Sequence, residues 1–258
     1  MALIPAKISN SYKNNSPEVI LINPLFLRNF VLKLINMLPD IKAVAFDIDG
    51  TLYPSFSLYW RIIPYVIRHF RFYFYYNKIR RVMHRTAPLP DFYEYQARLL
   101  AEELGCSSLR ARAMIKRIAY DGLRPYFEKI KPFSYVAETF KTLHEKGFKI
   151  ALLSDFPPSQ KGDIWGVIPY CDLILGTEEI GALKPSKYPF GIMAMALELE
   201  PSQILYVGNS IKFDVRGANN AGMKTAIIAS KLKRIFSKKI KEADISFSNY
   251  RQVLNNVL

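Results

Sequence analysis

A chain of 258 residues, half of them hydrophobic and 22% charged, is globular material with room for one large domain or a core carrying an insertion. The formal charge of +14 favours anionic partners (phosphorylated metabolites, acidic lipid surfaces or nucleic acid) without choosing among them. No uncharged apolar run reaches the roughly 18–20 residues that span a bilayer, and the amino terminus lacks a signal-peptide pattern. Cys106 and Cys171 fit neither a disulfide framework nor a metal-ligand spacing, so a reducing cytoplasm is the expected compartment.

In chain order, an extension over residues 1–40 comes first, with a polar start (Ser9 to Ser16) and an amphipathic helix predicted over Leu25–Leu38. Five short apolar runs follow at intervals and are predicted as buried strands: Ala43–Asp47, Ile150–Asp155, Asp172–Gly176, Ile204–Gly208 and Thr225–Ala229. They lack polar alternation, as strands covered on both faces of a parallel sheet do. Between the first and second, from about Ser57 to Lys131, only helical stretches are predicted, with breaks at Pro88–Pro90 and around Gly105–Ser108. Ser134 is positioned to cap a helix whose Val136, Phe140 and Leu143 share one face and which Gly147 ends. Phe190–Leu199 and Asp214–Ala221 read as two more helices. Strand–helix alternation predicts an α/β fold: a Rossmann-like, doubly wound parallel sheet with an inserted α-helical cap. The expected parts are the extension (1–40), the first piece of the core (41–56), the cap (57–131) and the second piece of the core (132–258).

In an open α/β sheet, ligands bind beyond the carboxyl ends of the strands. The first strand leads into Asp47-Ile48-Asp49-Gly50-Thr51, the second into Ser154-Asp155, and the run ending at Gly208 into Asn209-Ser210, with Asp214 close behind. Lys184-Pro185 follows the strand that ends near Gly176. Ionisable groups from distant segments are thus expected at one edge, and they suit phosphoryl transfer. A carboxylate can attack phosphorus, and a second one two residues on can protonate the leaving oxygen and then activate water. A hard dication, for which magnesium fits, would bridge carboxylate and phosphate. Lysine supplies positive charge and serine a hydrogen bond to a phosphoryl oxygen.

These segments resemble the haloacid dehalogenase superfamily, in its phosphatase branch with a helical cap after the first motif. The likeness is carried by Phe46 to Tyr53, Leu152-Leu153-Ser154-Asp155, Gly181 to Pro185, and Tyr206 to Ser210 with Asp214, Gly217-Ala218 and Ala221-Gly222-Met223. The resemblance implies a magnesium-dependent hydrolase of phosphate monoesters that works through an aspartyl phosphate. Asp47 would be the nucleophile and a metal ligand. Asp49 would be the acid/base, with its carbonyl facing Mg2+. Thr51 would fix the loop, and Ser154 and Lys184 would hold the phosphoryl group. Asn209 stands where the family usually has a metal-binding aspartate, which removes one negative charge; Asp214 is the candidate that compensates through a water, or a helix cap. An aspartate at 49, where true dehalogenases resembling this chain carry an aromatic residue, favours phosphate esters over carbon–halogen bonds. Alternatives are a phosphomutase of the same family and a non-catalytic protein that binds a membrane or partner with this fold.

The stretch Tyr59–Arg85 is dense in aromatics and basic residues and has no acid. At helical spacing Arg68, Arg71, Lys78, Arg81 and Arg85 share one stripe, which reads as a solvated face over packed aromatics, as a selector of anionic substrates, or as a docking face for anionic membrane. The basic cluster Lys231, Lys233, Arg234, Lys238, Lys239 and Lys241 reads as a solvated face, without a nucleic-acid module. His69, His84 and His144 read as surface or packing residues. A small phosphorylated substrate is the expected partner, and monomer and dimer are both compatible with the sequence.

Overall fold

The computed structural model describes residues 40–229 and 238–257. The segment Ser9–Ser16, the Leu25–Leu38 helix and the cluster residues Lys231, Lys233 and Arg234 lie outside them. Six parallel strands form one sheet: β1 (Ala43–Phe46), β2 (Lys149–Ser154), β3 (Leu173–Gly176), β4 (Ile204–Gly208), β5 (Lys224–Ile228) and β6 (Ile245–Phe247). Their spatial order is β3-β2-β1-β4-β5-β6, so chain direction across the sheet reverses between β1 and β4. That is the switch point at which a doubly wound sheet opens a crevice. The five expected strands are present within one or two residues. β6 was not legible, because three residues are too short for a hydrophobic run; β5 recruits it by pairing Ala226 with Ile245, while Asp244 accepts from the Thr225 amide at 2.8 Å.

The missing polar alternation has a direct cause. Val44, Phe46, Ile150, Leu152, Leu205 and Val207 point to one face and pack with Phe140, Leu143 and Tyr250. Their neighbours Ala43, Ala45, Ala151, Leu153, Ile204 and Tyr206 point to the other and pack with Phe190 and Met193. Both faces are therefore apolar and covered.

Between β1 and β2 the chain builds α1 (Ser55–Arg68), α2 (Phe70–Met83), α3 (Phe92–Leu104), α4 (Ser108–Met114), which continues as a π-helix over Ile115–Asp121, and α5 (Arg124–Phe127). Asp91 caps α3 by accepting from the Glu94 amide, and Gly105, left-handed at φ 66°, ends it. α1 and α2 are separate helices broken at His69 (φ −112°, ψ 29°), so the basic residues expected on one stripe at helical spacing are divided, with Arg68 on α1 and Arg71, Lys78 and Arg81 on α2. The remaining helices are α6 (Val136–Glu145), α7 (Thr177–Ile180), α8 (Lys187–Ala196), α9 (Arg216–Asn220) and α10 (Arg251–Val257). α6 is not capped by Ser134: it begins after Tyr135, which takes φ 70° and makes no side-chain cap. α8 starts earlier than expected because Ser186 accepts from the Tyr188 amide, and the turn before α9 is π-helical over Ile211–Val215.

The helical insertion has its own core, including Phe72, Tyr76, Ile79, Met83, Leu100 and Ile115. It is tied to the sheet edge through Arg80 of α2. This guanidinium is buried, donates to the Glu178 carboxylate of α7 and to the Asp155 carbonyl (3.3 Å), and lies 4.6 Å over the Phe156 ring. Burial pushes the Glu178 carboxyl above its ordinary value against the pull of Arg80. Arg80→Met is expected to cost about 3–5 kcal/mol in urea unfolding, because it strands a buried carboxylate, and Arg80→Met/Glu178→Met is expected to recover most of that loss.

Candidate active site

The carboxyl ends of β1 and β4 lie side by side at the switch point, with the Asp47 amide bonded to the Val207 carbonyl at 2.9 Å. Asp47 is buried there. Its Oδ2 accepts from Thr51 Oγ1 at 2.6 Å and its Oδ1 from Lys184 Nζ at 2.7 Å. Burial, reinforced by the Asp214 and Asp49 carboxylates, raises the Asp47 carboxyl to about 7 against the attraction of Lys184. The turn that follows is held from below: Tyr250 donates to the Thr51 carbonyl (2.6 Å) and the Phe133 amide to that of Leu52 (2.8 Å).

Lys184 is the hub of the cluster. Its ammonium reaches Asp47 and Asp214 at 2.7 Å each and the Tyr206 hydroxyl at 3.3 Å. Burial alone would depress it, but the two carboxylates hold it well above its ordinary value. Asp214 is also buried; its other oxygen accepts from the amides of Asn209 (3.1 Å) and Ser210 (2.9 Å), so it fastens the loop after β4. The fit is tight at Gly208, where an added Cβ would lie 2.3 Å from Asp214 Cβ. The Asn209 side chain turns to β1, donating from Nδ2 to the Asp49 carbonyl at 3.1 Å. Gly50 makes this approach available, since at φ +86° it has no Cβ to meet that amide.

Asp49 lies on the far side of Asp47. It accepts from Tyr53 (2.8 Å) and Ser154 Oγ (3.1 Å) and pairs with Lys161 Nζ at 3.0 Å. Burial opposes its ionisation, yet Lys161 and these hydrogen bonds hold its carboxyl below the ordinary value. The seven sequence-derived residues, Asp47, Asp49, Thr51, Ser154, Lys184, Asn209 and Asp214, are therefore one connected cluster.

Sequence reasoning missed two members. Lys161 is fully buried and also donates to Ser154 Oγ at 3.2 Å; its place in a turn after Pro157-Pro158 carried no signal. His84 is not a mere packing residue: its Nδ1 donates to the Lys184 carbonyl at 2.6 Å and lies 3.9 Å from Asp155. Asp155 in turn accepts from Thr177 (2.8 Å) and the Lys184 amide (3.1 Å), fixing the lysine's backbone.

A cavity of about 140 Å3 is lined by Asp47, Asp49, Asp155, Lys184, Asn209 and Asp214, among others. Four carboxyl groups line this space beside Lys184 and the adjacent Lys161, so carboxyls outnumber ammoniums there, and a dication would offset the difference. Among the described residues no three carboxylate, imidazole or thiol groups form a metal cage. The available donors are the Asp47 carboxylate, the Asp49 carbonyl and the Asn209 amide, whose oxygen would take the place of its Nδ2 if the side-chain amide were turned by half. Such a sparse, all-oxygen set fits magnesium, which keeps several waters.

Gly208→Ala is expected to destabilise the protein by about 1–3 kcal/mol through displacement of Asp214, whereas Gly191→Ala, in open space within α8, should stabilise it by about 0.5–1 kcal/mol in the same denaturation assay.

A family model described as haloacid dehalogenase-like hydrolase matches residues 41–222. The chain is 30% identical over 205 residues to a glyceraldehyde 3-phosphate phosphatase of Methanopyrus kandleri, a match covering 73% of this chain and 84% of that protein. It is 28% identical over 194 residues to pyrophosphatase PpaX of Halalkalibacterium halodurans, with the same two shares, 73% and 84%. Its fold is similar to that of a HAD phosphatase from Thermococcus onnurineus, with a TM-score of 0.55 at 22% identity over 83% of this chain and 96% of the other. The ordered motifs, the switch-point cluster and these matches agree: the chain belongs to the haloacid dehalogenase-like hydrolases.

Proposed function

We propose that the protein is a magnesium-dependent phosphatase that hydrolyses a small phosphate monoester through an aspartyl phosphate on Asp47. The observation that carries this reading is the placement of Asp47, buried at the switch point between Thr51 and Lys184 with a second carboxylate, Asp49, two residues away. The two free thiols suit a reducing compartment such as the cytoplasm.

In the proposed reaction an Asp47 oxygen attacks phosphorus, the ester P–O bond breaks, and Asp49 gives its proton to the departing oxygen. Ser154 and Lys161, now bonded to Asp49, turn to the phosphoryl oxygens, and this frees Asp49 to carry that proton. In the second half Asp49 takes a proton from water, the water oxygen bonds to phosphorus, and the Asp47–phosphorus bond breaks to return the carboxylate and release inorganic phosphate. Lys184 neutralises charge beside Asp47 throughout, with Asp214 holding it in place. Magnesium, held by Asp47, the Asp49 carbonyl and Asn209, with Asp214 beyond, would supply charge neutralisation of the phosphoryl oxygens when bound.

Phosphate release from a panel of phosphate monoesters tests this. Turnover should need magnesium and stop with a chelator. Asp47→Asn should reduce it to background, and Asp49→Asn should lower kcat by about 10²–10⁴-fold, both with wild-type folding. Release that survives Asp47→Asn, or absence of release from every ester, would overturn the reading.

A further inference from the structure

A second cavity, about 350 Å3, lies between the helical insertion and the sheet edge. Asp49 and Phe156 line both it and the smaller cavity at Asp47, so the two meet at the group assigned to the leaving oxygen. Its walls are mostly apolar in surface, with Leu58, Ile62 and Val66 of α1 and with Leu123, Phe127 and Phe156. No lysine, arginine or histidine lines it. Of its polar groups, the Gln160 amide donates to the Ala119 and Tyr120 carbonyls, the Tyr73 hydroxyl to the Ile118 carbonyl and the Tyr53 hydroxyl to Asp49, whereas the Tyr76 hydroxyl is buried without a partner among the described residues and Ser55, Tyr59 and Asn77 add uncharged polar groups. A leaving group bearing its own carboxylate or phosphate would enter this space without a counter-charge, at a large desolvation cost. We propose that the pocket takes an apolar leaving group, making the substrate an amphiphilic phosphate monoester with an alkyl or aryl body. The size falls within the roughly 300–1,000 Å3 of ligand pockets. The inference rests on the phosphatase reading centred on Asp47.

The test is a series of n-alkyl phosphates from ethyl to hexyl, with 2-phosphoglycolate as the charged comparator. kcat/KM should rise about fourfold per methylene, the equivalent of about 0.8 kcal/mol per buried CH2. Val66→Lys should bring hexyl phosphate down to the level of ethyl phosphate while ethyl phosphate is still hydrolysed. Phosphate release that is indifferent to chain length, or best with 2-phosphoglycolate, would overturn this inference and leave the phosphatase reading standing. No release from any ester would overturn both.

The outer side of the same helices carries a separate observation. Phe56, Trp60, Ile63 and Ile67 recur at spacings of four, three and four residues and so share one face of α1, turned away from the Leu58, Ile62 and Val66 side that lines the pocket. Phe56, Trp60 and Ile67 are 66%, 60% and 68% exposed, and Phe70 and Phe74 continue the apolar surface at the start of α2. Around them Arg61, Arg68, Arg71, Arg81 and Arg85 are exposed, and none pairs with a carboxylate among the described residues. From Thr51 through Pro90 the sequence has no aspartate or glutamate at all. Exposed aromatics rimmed by unneutralised arginines complement an anionic lipid interface, where rings enter the headgroup region and cations meet the phosphates. We infer that this face docks the protein on an anionic bilayer.

Flotation of the full chain with vesicles of about one-third phosphatidylglycerol in phosphatidylcholine tests it. Wild type should float with these and not with pure phosphatidylcholine. Trp60→Glu/Ile67→Glu should reduce capture about tenfold while phosphate-ester turnover and Tm stay at wild-type values. Undiminished capture of the double variant, or absence of capture of wild type, would overturn the inference. So would a wild-type dimer that the double variant dissociates without any vesicle binding, since a second copy would then be what covers the face.

Discussion

A lysine ammonium withdrawn from water is stable only when carboxylates replace its hydration, and Lys184 meets that condition with Asp47 on one side and Asp214 on the other. The three groups come from different stretches of the chain and form the joint that holds three loops in register. Asp214 uses its second oxygen to bind the amides of Asn209 and Ser210, so the loop after β4 takes its shape from the same joint. His84 and Asp155 hold the backbone of Lys184 from behind, extending it to the insertion and to the end of β2. Removal of the ammonium would leave two buried carboxylates facing each other, which makes the site's structure and its charge inseparable.

The same burial shapes the chemistry. Asp47 and Asp49 are two residues apart, yet their surroundings push them in opposite directions. Asp47 is raised by burial and by neighbouring carboxylates, while Asp49 is held down by Lys161, Tyr53 and Ser154. The separation runs opposite to the one the proposed nucleophile and acid need, so those roles require Lys161 and Ser154 to turn away from Asp49 and the Asp47 carboxyl to lose its proton. Carboxyl groups outnumber ammoniums around the smaller cavity, and the raised Asp47 carboxyl is one consequence of that surplus. Asn209, with its uncharged amide, lowers that surplus compared with an aspartate and keeps an oxygen available.

The helical insertion contributes in two directions at once. Its inner residues on α1 wall the cavity next to Asp49, and Arg80 on α2 binds it to α7 at the sheet edge. The Arg80–Glu178 contact lies beside Asp155 and Phe156, so any movement of the insertion is felt next to Ser154. Its outer surface, apolar and basic among the described residues, is a property the sheet does not need for folding.

The strands, their parallel arrangement and the motif residues at their carboxyl ends were legible in the sequence because each rests on a local signal. Apolar runs such as Ile204–Gly208 lack alternation when both faces are covered, and Asp47, Ser154 and Asn209 follow such runs directly. The split of the basic stripe at His69 and the uncapped start of α6 depend on one residue's backbone angles, set by packing rather than by residue type. The site partners Lys161 and His84, the short strand β6, and the apolar pocket beside Asp49 were decided by tertiary structure alone. Each requires groups far apart in the chain to meet, as Lys161 meets Asp49 across more than a hundred residues and His84 meets Lys184 across a hundred. A sequence carries periodicity and order along the chain; which side chain faces which across a sheet edge is settled only when burial has to be satisfied in three dimensions.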